Sequence, residues 1–338
     1  MNGRTNRLSE PAGIDVLFVV LPGSLLLDIA GPAEAFRVAN QHLQSHGRPA
    51  RFRLRFAGPA PEACSSVGLT LGGLEPLPQT VEGRTWCVLV GLQGTLAARQ
   101  SCHWLQARDW LSRWLAPVLA DANTGCKLVT VCAGTLLAAD AGLLARRRCT
   151  THHEVLAALQ ALAPEAEVVG NRVFVEDGPV ASSAGITSGI DLALHLIAAE
   201  AGDAAAAAVA QTMVVYLRRG PQDPELSPLL THRHHLHPAV HRVQDAVCAD
   251  PAAHWNVETM AQAAHVTPRH LHRLFCLHAG IAPLAYLQRI RVERARQALT
   301  QGASVGQAAE AAGFGSDLAL RRAWKTHAQG TPREARAA

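Results

Sequence analysis

The chain has 338 residues, 49% of them hydrophobic and 17% charged, a balance that excludes wholly disordered and collagen-like proteins and a length that suits two or three domains of about 100–200 residues each. No apolar run reaches the ~18 uncharged residues of a membrane helix, no CxxC pair stands among the eight cysteines, and the start of the chain has no signal cleavage pattern, so a cytoplasmic protein with reduced thiols, no membrane partner, no metal and no cofactor is expected. The formal charge of +4 is uneven: residues 1–231 sum to −2 and residues 232–338 to +6, with 11 of the 17 histidines in the latter, which points to an anionic partner for the last third.

In chain order, short runs rich in Val, Ile and Phe alternate with helical patterns, the signature of an α/β domain with a largely parallel sheet. Strands are expected over 14–20, 51–57, 86–90, 127–131, 172–175 and 180–182, and helices over 31–42, 102–121, 134–141, 154–162, 186–202 and 204–217. Ligands of such sheets collect at the carboxyl ends of strands, where three features stand. After the first strand, Asp28 precedes Gly31-Pro32, which places a carboxylate at the sheet edge or a cap ahead of a helix from Gly31. After the third, Val90-Gly91-Leu92-Gln93-Gly94 is a Gly-containing turn whose backbone N–H groups are able to receive an oxyanion. After the fourth, Val131-Cys132-Ala133-Gly134 passes from strand to helix at once, forcing Cys132 into a sharp turn near a helix N-terminus, where a thiol pKa falls. Trp104, Trp110 and Trp114 read as packing residues on one helix, and Arg146 to Arg148 as a solvated turn.

These features resemble, in this order, the PfpI-like branch of the class I glutamine-amidotransferase-like superfamily. The motifs are Leu27-Asp28-x-x-Gly31-Pro32-x-Glu34-x-Phe36, Val131-Cys132-x-Gly134, Ala141-Gly142-Leu143-Leu144, Thr150-Thr151-His152 and Ser183-Ala184-Gly185-x-x-x-Gly189-Ile190-Asp191-Leu192-Ala193. The resemblance implies a flavodoxin-like domain over 12–220 with a nucleophile-elbow cysteine. It places Asp28, Gly91, Leu92, Cys132, Ala133 and His152 around a pocket for a small metabolite. Enzymes of the group carry histidine or threonine directly after the cysteine; Ala133 neither takes nor orients a proton, which favours a sensor over an isocyanide-hydratase-like, amidase-like or peptidase-like enzyme using Cys132.

A linker is expected over 221–238, with Pro221, Pro224, Pro228 and Pro238, and its four histidines read as solvated rather than metal-binding. Beyond it the signals are helical. Asn256 caps a short Ala-rich helix, residues 265–268 form a turn, and a second helix from Arg269 presents Arg269, His270, His272 and Arg273 beside a stripe of Leu271, Leu274 and Phe275. About 46–50 residues later the pattern recurs. Ser304 opens an Ala-rich helix, Gly313-Phe314-Gly315 is the turn, and Ser316 caps a helix with Leu320 and Trp324 apolar and Asp317, Arg321, Arg322 and Lys325 outward. Between them residues 283–300 read as a long linking helix with Leu284, Leu287, Ile290 and Leu299 apolar and Arg289, Arg291, Arg294 and Arg296 basic.

Two helix-turn-helix units joined by a long helix resemble the AraC-type DNA-binding domain, here over 239–338. The stretches that carry it are Pro283-x-x-Tyr286-Leu287-x-x-x-Arg291-x-x-x-Ala295, Gly313-Phe314-Gly315-Ser316 followed by Trp324, and Thr331-Pro332; Gln329 and Ala335 depart from the usual glycine and aromatic. A PfpI-like domain fused to an AraC-type module resembles the GlxA-type regulators. That resemblance implies a transcriptional regulator that binds double-stranded promoter half-sites as a homodimer and responds to a small-molecule effector.

Overall fold

A computed structural model describes residues 13–81, 83–185, 187–215, 219–221, 231–233, 235–328 and 330–337. The chain divides into two compact units between residues 225 and 226. Most of the expected linker, residues 222–230 and 234, lies outside the described residues, as do Gln329 and the last residues expected in the helix over 204–217.

The first unit contains β1 (Ile14–Val19), β2 (Phe52–Gly58), β3 (Glu62–Cys64), β4 (Thr70–Gly72), β5 (Glu75–Pro76), β6 (Thr85–Leu89), β7 (Lys127–Val131), β8 (Arg148–Cys149), β9 (Glu167–Val168), β10 (Phe174–Asp177) and β11 (Val180–Ser183). Seven of these form one sheet in the order β10-β11-β7-β6-β1-β2-β5. All neighbours are parallel except β10 with β11. The chain moves from β1 outward to β2 and β5, then returns to β6 on the other side of β1, so the order reverses between β1 and β6, the place where parallel sheets hold ligands. Every residue of β6 is buried, which explains why Trp86-Cys87-Val88-Leu89 shows a continuous apolar run without alternation.

The helices of this unit are α1 (Leu26–Ser45), α2 (Thr95–Ala98), α3 (Cys102–Trp110), α4 (Ala116–Ala120), α5 (Gly134–Asp140), α6 (Leu156–Leu162), α7 (Ser188–Ala201) and α8 (Asp203–Thr212). Phe36 of α1 meets Phe52 and Trp86 with ring centroids 5.0 and 5.9 Å apart, which anchors α1 on β2 and β6. A Cβ on Gly189 would lie 2.8 Å from Val131 Cγ1 and 3.3 Å from Pro32 Cγ, so glycine lets α7 close on both β7 and α1. Trp104 and Trp110 are buried, their indole N–H groups donating to Asp140 Oδ2 at 2.8 Å and Pro78 O at 2.6 Å, while Trp114 is partly exposed.

One boundary corrects the sequence reading. Helix α1 begins at Leu26 rather than Gly31, and Pro32 lies inside it. Pro32 resembles a first-turn proline because that position needs no N–H; here its ring packs toward Gly189 instead. Asp28 is therefore in the first turn of the helix and buried, not an N-cap before it.

The second unit is helical: α9 (Pro238–Ala249), α10 (Val257–Ala264), α11 (Pro268–Leu274) running into a π-turn at Phe275–Ala279, α12 (Pro283–Thr300), α13 (Val305–Ala311), α14 (Asp317–His327) and α15 (Pro332–Ala337). Asn256 with Thr259, and Ser304 with Gln307, close capping boxes on α10 and α13. Helix α12 joins two cores. Tyr286, Leu287 and Ile290 pack with Val243, Met260, Leu271 and Phe275, while Val292, Ala295 and Leu299 pack with Ala309, Leu320 and Trp324. Of the apolar residues of this helix, Leu284 is 44% exposed, while Tyr286 is fully buried. Ala335, at the position of the family aromatic, still packs against the second core.

Candidate functional site

At the reversal between β1 and β6, two loops pair with each other. Leu25 N–H donates to Gly91 O at 2.8 Å and Gln93 N–H to Gly23 O at 2.9 Å, on either side of an antiparallel bridge between Ser24 and Leu92. This holds Gly91 against the first turn of α1. There Asp28 Oδ2 accepts the Gly91 N–H at 2.9 Å, while Oδ1 has no hydrogen-bond partner among the described residues. Burial pushes the Asp28 carboxyl up to about 7, against the opposing pull of the Gly91 N–H. The expectation that the turn after β6 offers its N–H groups to an oxyanion is corrected for two of them, since Gly91 serves Asp28 and Gln93 serves Gly23.

Cys132 follows β7 with φ 57°, a left-handed conformation rare for a residue with a side chain. Its backbone is held on both sides: its N–H donates to Ser183 O at 2.9 Å and its carbonyl accepts from Thr151 Oγ1 at 2.8 Å. Gly134 makes the elbow possible, because a Cβ there would stand 2.3 Å from Leu89 O. A Cβ on Gly91 would stand 2.8 Å from Asp28 Oδ2 and 3.2 Å from Cys132 Cβ, so Gly91 is the spacer between carboxyl and cysteine. The structure thus brings Asp28, Gly91 and Cys132 together in one buried corner, and Leu92 and Ala133, next to Gly91 and Cys132 in the chain, are buried as well.

His152 stands apart from this corner in its contacts. It caps the turn at His153–Val155, with Nδ1 3.4 Å from the Glu154 N–H nitrogen and 3.7 Å from Glu154 Oε2. The neighbouring Thr151 makes the link to Cys132 that the sequence reading did not assign. The Thr150-Thr151 pair carried the signal, since hydroxyls beside a buried elbow find backbone partners.

The second candidate is a pair of basic helix faces. Thr267 Oγ1 accepts from the His270 N–H at 3.3 Å to cap α11, and Ser316 Oγ accepts from the Ala319 N–H at 3.2 Å to cap α14. Leu271 and Phe275 anchor the first helix, and Leu320 and Trp324 the second, at the same distances from their caps. Arg269, His272 and Arg273 are exposed on α11, and Asp317, Arg321, Arg322 and Lys325 on α14. Among the described residues, none of Arg269, Arg321, Arg322 or Lys325 has an acidic partner. His270 is half-buried and its Nδ1 lies 3.2 Å from Arg273 Nη2, which places it at the flank of the face.

Two basic features of the sequence are structural instead. Arg291 donates to Pro251 O at 2.8 Å and Ala253 O at 2.9 Å, pinning the loop between α9 and α10. Arg296 pairs with Glu293 on its own helix. Of the histidines before α9, the described His232, His235 and His237 are not a solvated strip either. His232 is buried, with Nδ1 2.9 Å from Ala279 O and Nε2 3.0 Å from Arg289 Nη1, and the His237 ring lies 4.5 Å from that of His278. Proline spacing suggested an open strip, but imidazole rings stack readily once helix ends are near. No helix among the described residues is long and apolar enough to cross a membrane.

Comparison with known proteins places both units. Residues 113–199 match the DJ-1/PfpI family, and residues 260–338 match a family described as Helix-turn-helix domain. The chain is 30% identical over 327 residues to the HTH-type transcriptional regulator CdhR of Pseudomonas aeruginosa, covering 96% of this chain and 91% of that protein. It is 28% identical over 326 residues to the HTH-type transcriptional regulator GbdR of Pseudomonas aeruginosa, covering 94% and 83%. It is also 28% identical over 316 residues to the HTH-type transcriptional regulator GlxA of Rhizobium meliloti, covering 93% of each.

Proposed function

The chain belongs to the HTH-type transcriptional regulators that join a DJ-1/PfpI domain to an AraC-type helix-turn-helix domain, and from that premise we propose that α11 and α14 enter successive major grooves of promoter DNA while the first unit senses a small metabolite. The observation that carries the reading is the shared register of the two capped helices, each anchored by two buried apolar residues and each holding exposed arginines with no acidic partner among the described residues. Helices so placed on one duplex address sites about 34 Å apart, one helical turn. Arg269, Arg273, Arg321 and Arg322 contact bases or phosphates, and one bidentate arginine–guanine pair contributes about 1–3 kcal/mol of discrimination. Gel shifts with the full chain on a duplex it selects from random-sequence DNA test this. Arg273→Ala and Arg322→Ala bind at least tenfold more weakly; wild-type affinity in both refutes the assignment.

The first unit acts as a sensor rather than an enzyme. Its enclosed corner presents one buried carboxyl and one thiol, Ala133 supplies no proton-transfer group beside the thiol, and His152 is turned to Glu154. Asp28, Gly91, Leu92, Cys132 and Ala133 line the site for a small polar effector. Occupancy passes to the DNA-binding unit within a homodimer acting in the cytoplasm, since paired half-sites suit a two-fold partner. Two measurements bear on this. Cys132-dependent turnover of isonitriles, amides or small peptides overturns the sensor reading, and a strict monomer of the full chain in sedimentation at micromolar concentration overturns the dimer.

A further inference from the structure

Capping and packing put α11 and α14 in one register, and within that register their exposed residues differ. Counting from the caps Thr267 and Ser316, the positions two, five, six and nine residues on lie on one side of each helix, opposite the buried anchors. On α11 and the π-turn that continues it these are Arg269, His272, Arg273 and Cys276; on α14 they are Leu318, Arg321, Arg322 and Lys325. The last three positions keep polar or basic groups in α14. At the position two residues after the cap, α11 has Arg269 and α14 has Leu318, which is 58% exposed.

An exposed leucine in the first turn of a helix, on the same exposed side as Arg321, Arg322 and Lys325, which have no acidic partners among the described residues, is not part of the core cluster that Leu320 and Trp324 join. The N-terminal residues of a recognition helix are those that reach base edges. The apolar group on offer in a major groove is the C5-methyl of thymine, whereas an arginine at that position meets the O6 and N7 acceptors of guanine. We infer that Leu318 is a specificity-determining residue that packs on a thymine methyl, so that the half-site taken by α14 differs from the half-site taken by α11, where Arg269 stands in its place. This rests on the DNA-binding reading above and adds to it which base each helix selects at one position.

The test uses the full chain and a library of random-sequence duplex DNA. Wild-type protein selects a duplex, and each thymine of that duplex is then replaced in turn by deoxyuridine, which removes only the methyl. One replacement weakens wild-type binding about fourfold, as expected for losing a buried methyl. Leu318→Ala binds the thymine duplex about fourfold more weakly and is indifferent to that replacement. Leu318→Arg selects guanine at the same position. Leu318→Ala that keeps wild-type affinity and wild-type sensitivity to every replacement overturns the inference and leaves the exposed leucine to a protein contact. A far-ultraviolet circular dichroism spectrum equal to wild type shows that Leu318→Ala is folded, and Leu318→Met, which keeps an apolar tip, retains the sensitivity. Failure of the underlying reading looks different: wild type then enriches no duplex at all and Arg322→Ala changes nothing, and Leu318 loses its role along with it.

Discussion

Asp28 and Gly91 are joined by a hydrogen bond of 2.9 Å that links the first turn of α1 to the loop after β6, with the second carboxylate oxygen of Asp28 buried and without a partner among the described residues. The carboxyl holds its proton up to about pH 7, above the ordinary 3.8. A folded-state pKa raised in this way gives stability that is complete below about pH 4 and lost as the pH rises through about 7. Asp28→Asn cannot ionise. The stability of the variant relative to wild type therefore increases between pH 4 and pH 8, by on the order of 4 kcal/mol at most for the step from 3.8 to about 7. Urea unfolding of both proteins across that range, monitored by tryptophan fluorescence, checks the sign; a difference independent of pH contradicts it.

Gly134 supports the same corner from below. In Gly134→Ala a methyl carbon would lie 2.3 Å from Leu89 O, in the backbone of a fully buried strand. Relief requires α5 to move off β6, at a cost of about 3 kcal/mol. The variant melts well below wild type, and a melting temperature within 2–3 degrees, where about 1 kcal/mol is expected to appear, contradicts the close packing.

Much of this corner is legible in the sequence, because an abrupt strand-to-helix step at Val131-Cys132-Ala133-Gly134 leaves the chain few conformations. The start of α1 is not legible, since Pro32 is at home both in a first turn and, beside Gly189, inside the helix. The short ladders β3, β4, β8 and β9 are missed for another reason: two or three residues carry no periodicity. The roles of Arg291 and Leu318 also escape a charge count. Arg291 is a cation bonded to carbonyls and Leu318 an apolar residue on a basic face, and only the register of α12 and α14 tells them apart from their neighbours.

Arg291→Lys keeps the charge and loses the fork that bridges Pro251 O and Ala253 O. A single ammonium cannot reproduce both contacts, so the variant loses about 1–3 kcal/mol of stability in the DNA-binding unit. The slope of log affinity for DNA against log salt stays as in wild type, because no phosphate contact is removed. A reduced slope in Arg291→Lys or Arg291→Ala, with unchanged stability, assigns the side chain to DNA instead.

Gly313, in the turn before α14, has φ 75°, and a Cβ there would stand 2.5 Å from Ala252 Cα. Gly313→Ala meets both the left-handed penalty and a backbone clash, together about 2–4 kcal/mol. The second helix-turn-helix unit shifts away from the loop after α9, and DNA affinity falls without any change in the reading residues. Wild-type stability and affinity in Gly313→Ala contradict this account of the turn.

The central claim, that α11 and α14 read one duplex in successive major grooves, is tested most directly by hydroxyl-radical footprinting of the full chain on a duplex it selects. Wild type protects two patches about 34 Å apart on one face of the DNA. Arg269→Ala with Arg273→Ala erases one patch, and Arg321→Ala with Arg322→Ala erases the other. Protection identical to wild type in both double variants, or loss of both patches together in each with the fold intact, contradicts the assignment of one groove to each helix.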